Sequence, residues 1–331
     1  MREPEITVVI PLYDGAEFLP ETLDSLAAQT RRDLLRVVVV DDGSHDRGVD
    51  LARGHPAVDT VVQQPNRGVA VARNHGLSLA RTRWVTFLDQ DDLWHPSRTE
   101  RVVARLTAEP EVRLFATTEI AFGLEDEREG LAALPGALGE WARVHARRES
   151  VLEDLSEVDV SGSGERQALG LTELLAGPVL VTTSFVAEAD LLRHAGGFAP
   201  HALAMDDYWL LVNAVRLTPL VRVDEPTVFY RVHLASTSRG TSLAMPFLTS
   251  ALALRHGGVL PEDPPGPFHR HLLEEALGSS TYRGSARHRR IVRHVAAALF
   301  ADGSADARVR RSEVKRRLPW VQAARAWLRS D

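Results

Sequence analysis

Asp89, Gln90, Asp91 and Asp92 follow directly on the apolar run of residues 84–88. Carboxylates gathered at one point repel each other and lose hydration, so such an arrangement calls for a compensating partner. Asp89 and Asp91 are one residue apart just past a strand-like run, and both side chains can turn toward one cleft. Mg2+ and Mn2+ favour such oxygen donors, keep several waters and are often shared with substrate phosphates. The competing reading is an Asp-rich turn capping the next helix, where Pro96 and Ser97 also fit. Asp41-Asp42-Gly43-Ser44 has the residues of a turn with an N-cap, and equally offers a carboxylate to a base N–H or a ribose. Tyr13, just past Pro11, suits stacking on a planar ring or ordinary packing. Asn66-Arg67-Gly68 opens a helical pattern with Arg73 one turn in, and a helix N-terminus beside a guanidinium favours an anion. Neither GxxxxGK[ST] nor GxGxxG is present there, so neither an ATPase nor a dehydrogenase is supported.

These residues need strands and helices to bring them together. Residues 6–11, 34–40, the shorter AVDTVVQQ run and 84–89 read as strands, the first a continuous β-branched run buried on both faces. Between them Phe18, Leu19, Leu23 and Leu26, the run HDRGVDLAR, and VAVARNHGLSLAR carry helical spacing. Alternation with short connections predicts βαβ units and a parallel sheet flanked by helices. In such sheets ligands bind beyond the carboxyl ends of the strands. Tyr13-Asp14, Asp41-Asp42 and Asp89 to Asp92 are therefore predicted to share one edge. A helix over about 97–108, a strand in VRLFATTEIAF, a helix opened by Asp206 and Asp207, and a strand in EPTVFYRVH follow. Residues 125–170 are charged and rich in Ser and Gly, and read as an irregular insertion. A boundary near residue 242 divides the chain into domains 1–242 and 243–331, the second helical and rich in Arg and Ala.

The chain has 331 residues, 44% of them apolar, enough for one large or two moderate domains. The absence of cysteine excludes disulfides and thiolate sites and suits the cytoplasm. No apolar run approaches a membrane-spanning length, and no secretory signal precedes the first strand. The net charge of -6 is unevenly distributed, with basic residues dominant from Arg283 to Arg329. That bias suits a phosphate-bearing or membrane-surface partner, or a solvated helical face.

The ordered set ITVVIPLYDGAEFLPETLDSLAAQT, VVVVDDGSHD, NRGVAVARNHG, WVTFLDQDD, GGF, DDYWLL and YRVHLASTS resembles the family 2 glycosyltransferases over roughly residues 5–240. The resemblance implies an α/β GT-A fold, a Rossmann-like and mostly parallel sheet with a C-terminal helical extension. It implies inverting transfer of a sugar from a nucleoside-diphosphate-sugar, of UDP type by preference, to an acceptor hydroxyl of unspecified kind. The cofactor implied is Mg2+ or Mn2+, and no nucleic acid is implied. By the resemblance Pro11, Tyr13 and Asp42 border the base, Gly68 and Arg73 the base and diphosphate, and Asp89 the ribose and metal, with Gln90 also in the nucleotide-sugar site. Asp91 matches the metal carboxylate, His233 a histidine that completes the metal or diphosphate site, and Asp207 the general base. The family more often has Glu at Asp206 and Asn at Asp14. The alternatives are a nucleotidyltransferase and a degenerate nucleotide-sugar-binding module. The basic C-terminal stretch, with Lys315, Arg316, Arg317, Trp320, Trp327 and Leu328, suits peripheral contact with the inner face of a membrane, packing on the catalytic domain, or a homodimer contact.

Overall fold

The computed structural model describes residues 5–123, 155–176, 179–200, 206–233, 244–256, 267–300 and 303–317. The chain forms two compact units, Met1–Leu174 with Pro178–Ser236, and Leu175–Gly177 with Thr237–Asp331. In the first, β1 (Ile6–Leu12), β2 (Leu35–Asp41), β3 (Thr60–Gln63) and β4 (Trp84–Phe87) pair in parallel in the order β3-β2-β1-β4. Every residue of β1 is buried, as its unbroken apolar run requires. Helices α1 (Leu19–Ala27), α2 (Gly48–Gly54) and α3 (Val69–Leu79) make the connections.

Beyond β4 the sheet becomes mixed. β8 (Phe185–Glu188) runs antiparallel to both β4 and β6 (Leu114–Gly123), and β6 runs parallel to β9 (Leu220–Val232). β5 (Leu93–Trp94) and β7 (Arg166–Leu169) pair antiparallel with β9. α4 (Arg98–Ala108) precedes β6, α5 (Leu171–Ala176) follows β7, α6 (Ala189–His194) follows β8, and α7 (Asp206–Ala214) precedes β9. β7 corrects the reading of 125–170 as irregular throughout: the residues from 155 on include a strand, while 124–154 lie outside the described residues. Its side chains show no alternation, three of four being exposed, so only the backbone partner β9 makes it a strand.

Register sets the site. Leu12 lies opposite Asp41, so β1 and β2 end together, while β4 ends at Phe87 opposite Val9 and leads into residues 89–92. α3 lies close on β1, because Gly76 leaves room for Val9: a Cβ there would meet Val9 Cγ1 at 2.2 Å. Gly76→Ala is therefore expected to cost about 1–3 kcal/mol through overpacking, read as a lower urea midpoint with an unchanged m-value.

The described residues of the second unit are helical: α8 (Ala244–His256), α9 (Pro267–Gly278), α10 (Ser280–Gly284), α11 (Ala286–Leu299) and α12 (Ser304–Arg317). Leu248, Leu272, Leu273, Tyr282, Val292 and Leu299 form its core. His269 is buried beside them, and burial pushes its imidazole down to about 4. The unfolded chain takes up this proton near 6.5 and the folded unit only near 4, so the unfolded state binds more protons between those values. Stability is complete above pH 6.5 and is expected to fall by about 3 kcal/mol as the pH drops toward 4. Urea titrations across that range should show the loss, and His269→Leu should flatten it.

Candidate active site

Residues 89–92 lie at the end of β4, with Leu88 still donating to Val9 O across the sheet. The turn separates its acidic side chains instead of stacking them. Asp89 Oδ1 accepts from Arg73 at 2.6 Å, and Asp91 Oδ2 lies 2.8 Å from His233 Nε2. Asp92 is fully buried and accepts from Thr183 Oγ1 at 2.5 Å and from the Arg231 N–H at 2.9 Å. Burial, and then the neighbouring Asp91 and Asp89, push the Asp92 carboxyl well up. Gln90 turns the other way and clamps the Tyr13 backbone, accepting its N–H at 2.8 Å and donating to its carbonyl at 3.1 Å. Repulsion within the cluster is thus relieved by separate partners for each of the three aspartates.

Arg73 joins the parts. It sits one turn into α3, 6% exposed, and donates to Asp89 Oδ1 and, at 2.8 Å, to Asp206 Oδ2, with its guanidinium 5.4 Å from the Phe198 ring. Burial disfavours its charge, but Asp89 and Asp206 outweigh that and raise its pKa. Burial pushes the Asp89 carboxyl up, and Arg73 opposes the shift.

The two aspartates that open α7 have different surroundings. Asp206 is buried and paired with Arg73, whereas Asp207 is only partly buried and accepts from Thr182 Oγ1 at 2.6 Å and from the Tyr208 N–H at 2.7 Å. Burial and then Asp206 raise the Asp207 pKa, with Arg73 pulling it back. A carboxylate in that state is a stronger base than one in water.

Asp42 is buried and takes N–H donors from Arg67 at 2.9 Å and Gly68 at 2.7 Å, together with Gln64 Nε2 at 2.8 Å. It therefore fixes the loop that starts α3. Gly68 has φ +91°, a conformation that a side chain resists. Asp14, also left-handed at φ 45°, is held by the Ser44 hydroxyl and accepts the His45 N–H at 2.6 Å. Asp and Asn both tolerate that backbone, which explains why Asp14 can replace Asn. Tyr13 stands 42% exposed at the edge, and Pro11 is buried in β1 opposite Val40.

The structure thus connects Arg73, Asp89, Asp91 and His233, through direct pairs and the turn of 89–92, with Asp206 and its neighbour Asp207. Tyr13 is tied to them through Gln90, and Asp42 and Gly68 are tied to each other in the adjacent loop. Pro11 remains within the sheet. Two further parts have no clear sequence signature. Thr182 and Thr183, in the 3-10 turn before β8, hold Asp207 and Asp92, and the buried Arg98 donates to the Thr183 and Ser184 carbonyls at 3.3 and 3.0 Å. Arg231, between Phe18 and Phe122, donates to Asp91 O at 2.7 Å and to Glu21 Oε2 at 2.5 Å. A hydroxyl run before a strand and a lone Arg within one were the available signals, and neither is specific. Among the described residues no group of three or more His, Asp and Glu gathers as a ready metal cage.

Residues 7–162 match the family described as glycosyl transferase family 2. Over 109 residues the chain is 36% identical to the succinoglycan biosynthesis protein ExoO of Rhizobium meliloti, covering 32% of this chain and 31% of that protein. The chain spans about three-tenths of the length of the curated relatives it matches. Among solved structures, S. aureus TarS 1-349 in complex with UDP-GlcNAc superposes with a TM-score of 0.60 at 16% identity, covering 96% of this chain and 92% of that one. The mannosyltransferase PcManGT of Pyrobaculum calidifontis, in complex with GDP-Man and Mn2+, gives a TM-score of 0.51 at 21% identity, covering 99% and 84%. These likenesses give the chain the GT-A fold of its structural neighbours, and its residues 7–162 resemble glycosyl transferase family 2.

Proposed function

We propose that this chain transfers a sugar from a nucleoside-diphosphate-sugar to an acceptor hydroxyl, with inversion at the anomeric carbon. The observation that carries the reading is the one connected edge on which the Asp91–His233 pair lies with the Arg73-linked Asp206 and its neighbour Asp207. The neighbouring structures that hold UDP-GlcNAc or GDP-Man support a nucleotide-sugar donor, and the two TarS complexes with UDP and UDP-GlcNAc favour a UDP-type donor.

Each residue then has a task. Tyr13, exposed beside Asp42 and the Gly68 loop, offers a ring face to the base, and Asp42 keeps that loop in place. Asp89 borders the ribose, its orientation fixed by Arg73. Asp91 and His233 fit a divalent cation: a carboxylate oxygen and an imidazole nitrogen already face each other, and Mg2+ or Mn2+ would complete its shell with water and diphosphate oxygens. Such an ion, when bound, supplies positive charge to the departing diphosphate. Asp207 takes the proton of the acceptor hydroxyl as that oxygen bonds to the anomeric carbon. The bond from the anomeric carbon to the diphosphate oxygen breaks on the opposite face, and the diphosphate leaves with its electron pair. Thr182 holds the Asp207 carboxylate in place, and Arg73 draws the charge of Asp206 away from it.

The test is the leaving group. The full chain, incubated with UDP- and GDP-sugars and a panel of alcohol acceptors, is expected to release a nucleoside diphosphate. Release of pyrophosphate from a nucleoside triphosphate and a sugar phosphate, with no diphosphate from any donor, would assign nucleotidyl transfer instead.

A further inference from the structure

The second unit presents a surface that holds none of the residues assigned above to the transfer reaction. α11 buries Val292, Val295, Ala296 and Leu299 in the core of that unit. On its other side Arg287, Arg290, Ile291 and His294 are all exposed. Their spacing places them in one stripe, since residues three and four apart are neighbours on a helix. Ile291 is 39% exposed, one of only four large apolar side chains in that state among the described residues. The basic residues around it have different surroundings. Arg283 and Arg289 donate to backbone carbonyls, and Arg293 pairs with Glu313. Arg287 and Arg290, which flank Ile291, have no acidic partner among the described residues. Arg310 and Arg311 of α12 are also exposed.

Charge along the chain adds a direction. Residues 283–331 hold thirteen Arg and Lys against four Asp and Glu, so with a chain total of -6 the remaining residues carry -15. An anionic surface therefore attracts the C-terminal end and repels the rest, over a distance of about 8 Å at physiological salt.

We propose that this face of α11 docks on the surface of a bilayer containing anionic phospholipid. Arg287 and Arg290 engage lipid phosphates, for which the planar guanidinium is suited, and Ile291 enters the boundary between headgroups and acyl chains. The apolar residue at the centre of the cationic stripe selects this partner over a soluble polyanion, which offers an isoleucine no apolar phase. The attachment proposed through this face is peripheral; no described helix is long and apolar enough to cross a membrane. The inference is independent of the transfer reaction.

Sedimentation of the full chain with vesicles of phosphatidylcholine, with and without phosphatidylglycerol, tests it. The chain is expected to sediment only with phosphatidylglycerol present and to be released by salt. Arg287→Gln with Arg290→Gln should weaken binding about thirtyfold, and Ile291→Ser about tenfold. Both variants should keep the parent melting temperature, because all three side chains are exposed. Equal binding to phosphatidylcholine alone, no sedimentation at all, or parent-like binding by the double variant would overturn the proposal. So would parent-like binding by Ile291→Ser, which would mark a site for soluble polyanions.

Discussion

Asp207→Asn is expected to lower kcat by about 10²–10⁴-fold, the range typical of losing a positioned general base, while the donor dissociation constant stays within twofold of the parent (about 0.4 kcal/mol). Asparagine keeps the shape: its Oδ1 can still accept the Tyr208 N–H, while its Nδ2, in place of Oδ2, can only donate to Thr182 Oγ1. The capacity to take a proton is lost. Asp206→Asn separates the two neighbours: its main effect should be on stability, because Asp206 is buried and paired with Arg73. A variant of Asp207 that turns over at the parent rate would remove this residue from the reaction. The pH profile carries the same assignment. Asp207 acts ionised, and burial raises its pKa above the ordinary 3.8, so kcat/KM should fall as pH drops through a value higher than that. An acid limb below 3.8, or one retained in Asp207→Asn, would contradict the role.

Arg73→Met should be the most destabilising single change on this edge. The parent side chain bridges Asp89 and Asp206 with its own exposure at 6%, and Asp206 is 4% exposed. Methionine fills much of the space but leaves Asp206 as a buried charge without its partner, a situation that costs about 3–5 kcal/mol. Lysine should not restore the loss fully, because a point charge cannot meet two carboxylates as the guanidinium fork does. Asp206→Asn combined with Arg73→Met should recover part of it, since the orphaned charge is then gone. Denaturant midpoints of the four proteins measure the coupling. A loss under about 1 kcal/mol in Arg73→Met would mean that solvent screens the pair, as at surface sites.

Much of the first unit could be read from the chain. Parallel strands buried on both faces leave unbroken apolar runs, and the residues that follow them, Tyr13, Asp42 and Asp89 among them, mark the candidate edge. Mixed pairing beyond β4 was less accessible. β5 has two residues and β7 has no alternation, and both are strands because β9 offers them a backbone. The identity of the acidic cluster was legible, but its wiring was not. Arg73 reads locally as an anion site at a helix start, yet it is committed to Asp206, which lies 133 residues further along the chain. Local pattern says nothing about such a partner. Thr182 and Thr183 matter only because folding brings them under Asp207 and Asp92, and Arg231 only because β9 ends beside Asp91. His233 entered the candidate site through the resemblance, and the structure places its Nε2 2.8 Å from Asp91 Oδ2.

The central claim is that the edge holding Asp91 and His233 is a nucleotide-sugar site. Calorimetric titration of the full chain with UDP, GDP, ADP and dTDP and their sugars, in Mn2+ and in EDTA, tests it most directly. The account predicts that one base is bound with Mn2+ present. It also predicts that affinity drops at least tenfold (about 1.4 kcal/mol) in EDTA or in His233→Ala. Absence of heat with every nucleotide, in metal and in chelator, would contradict it.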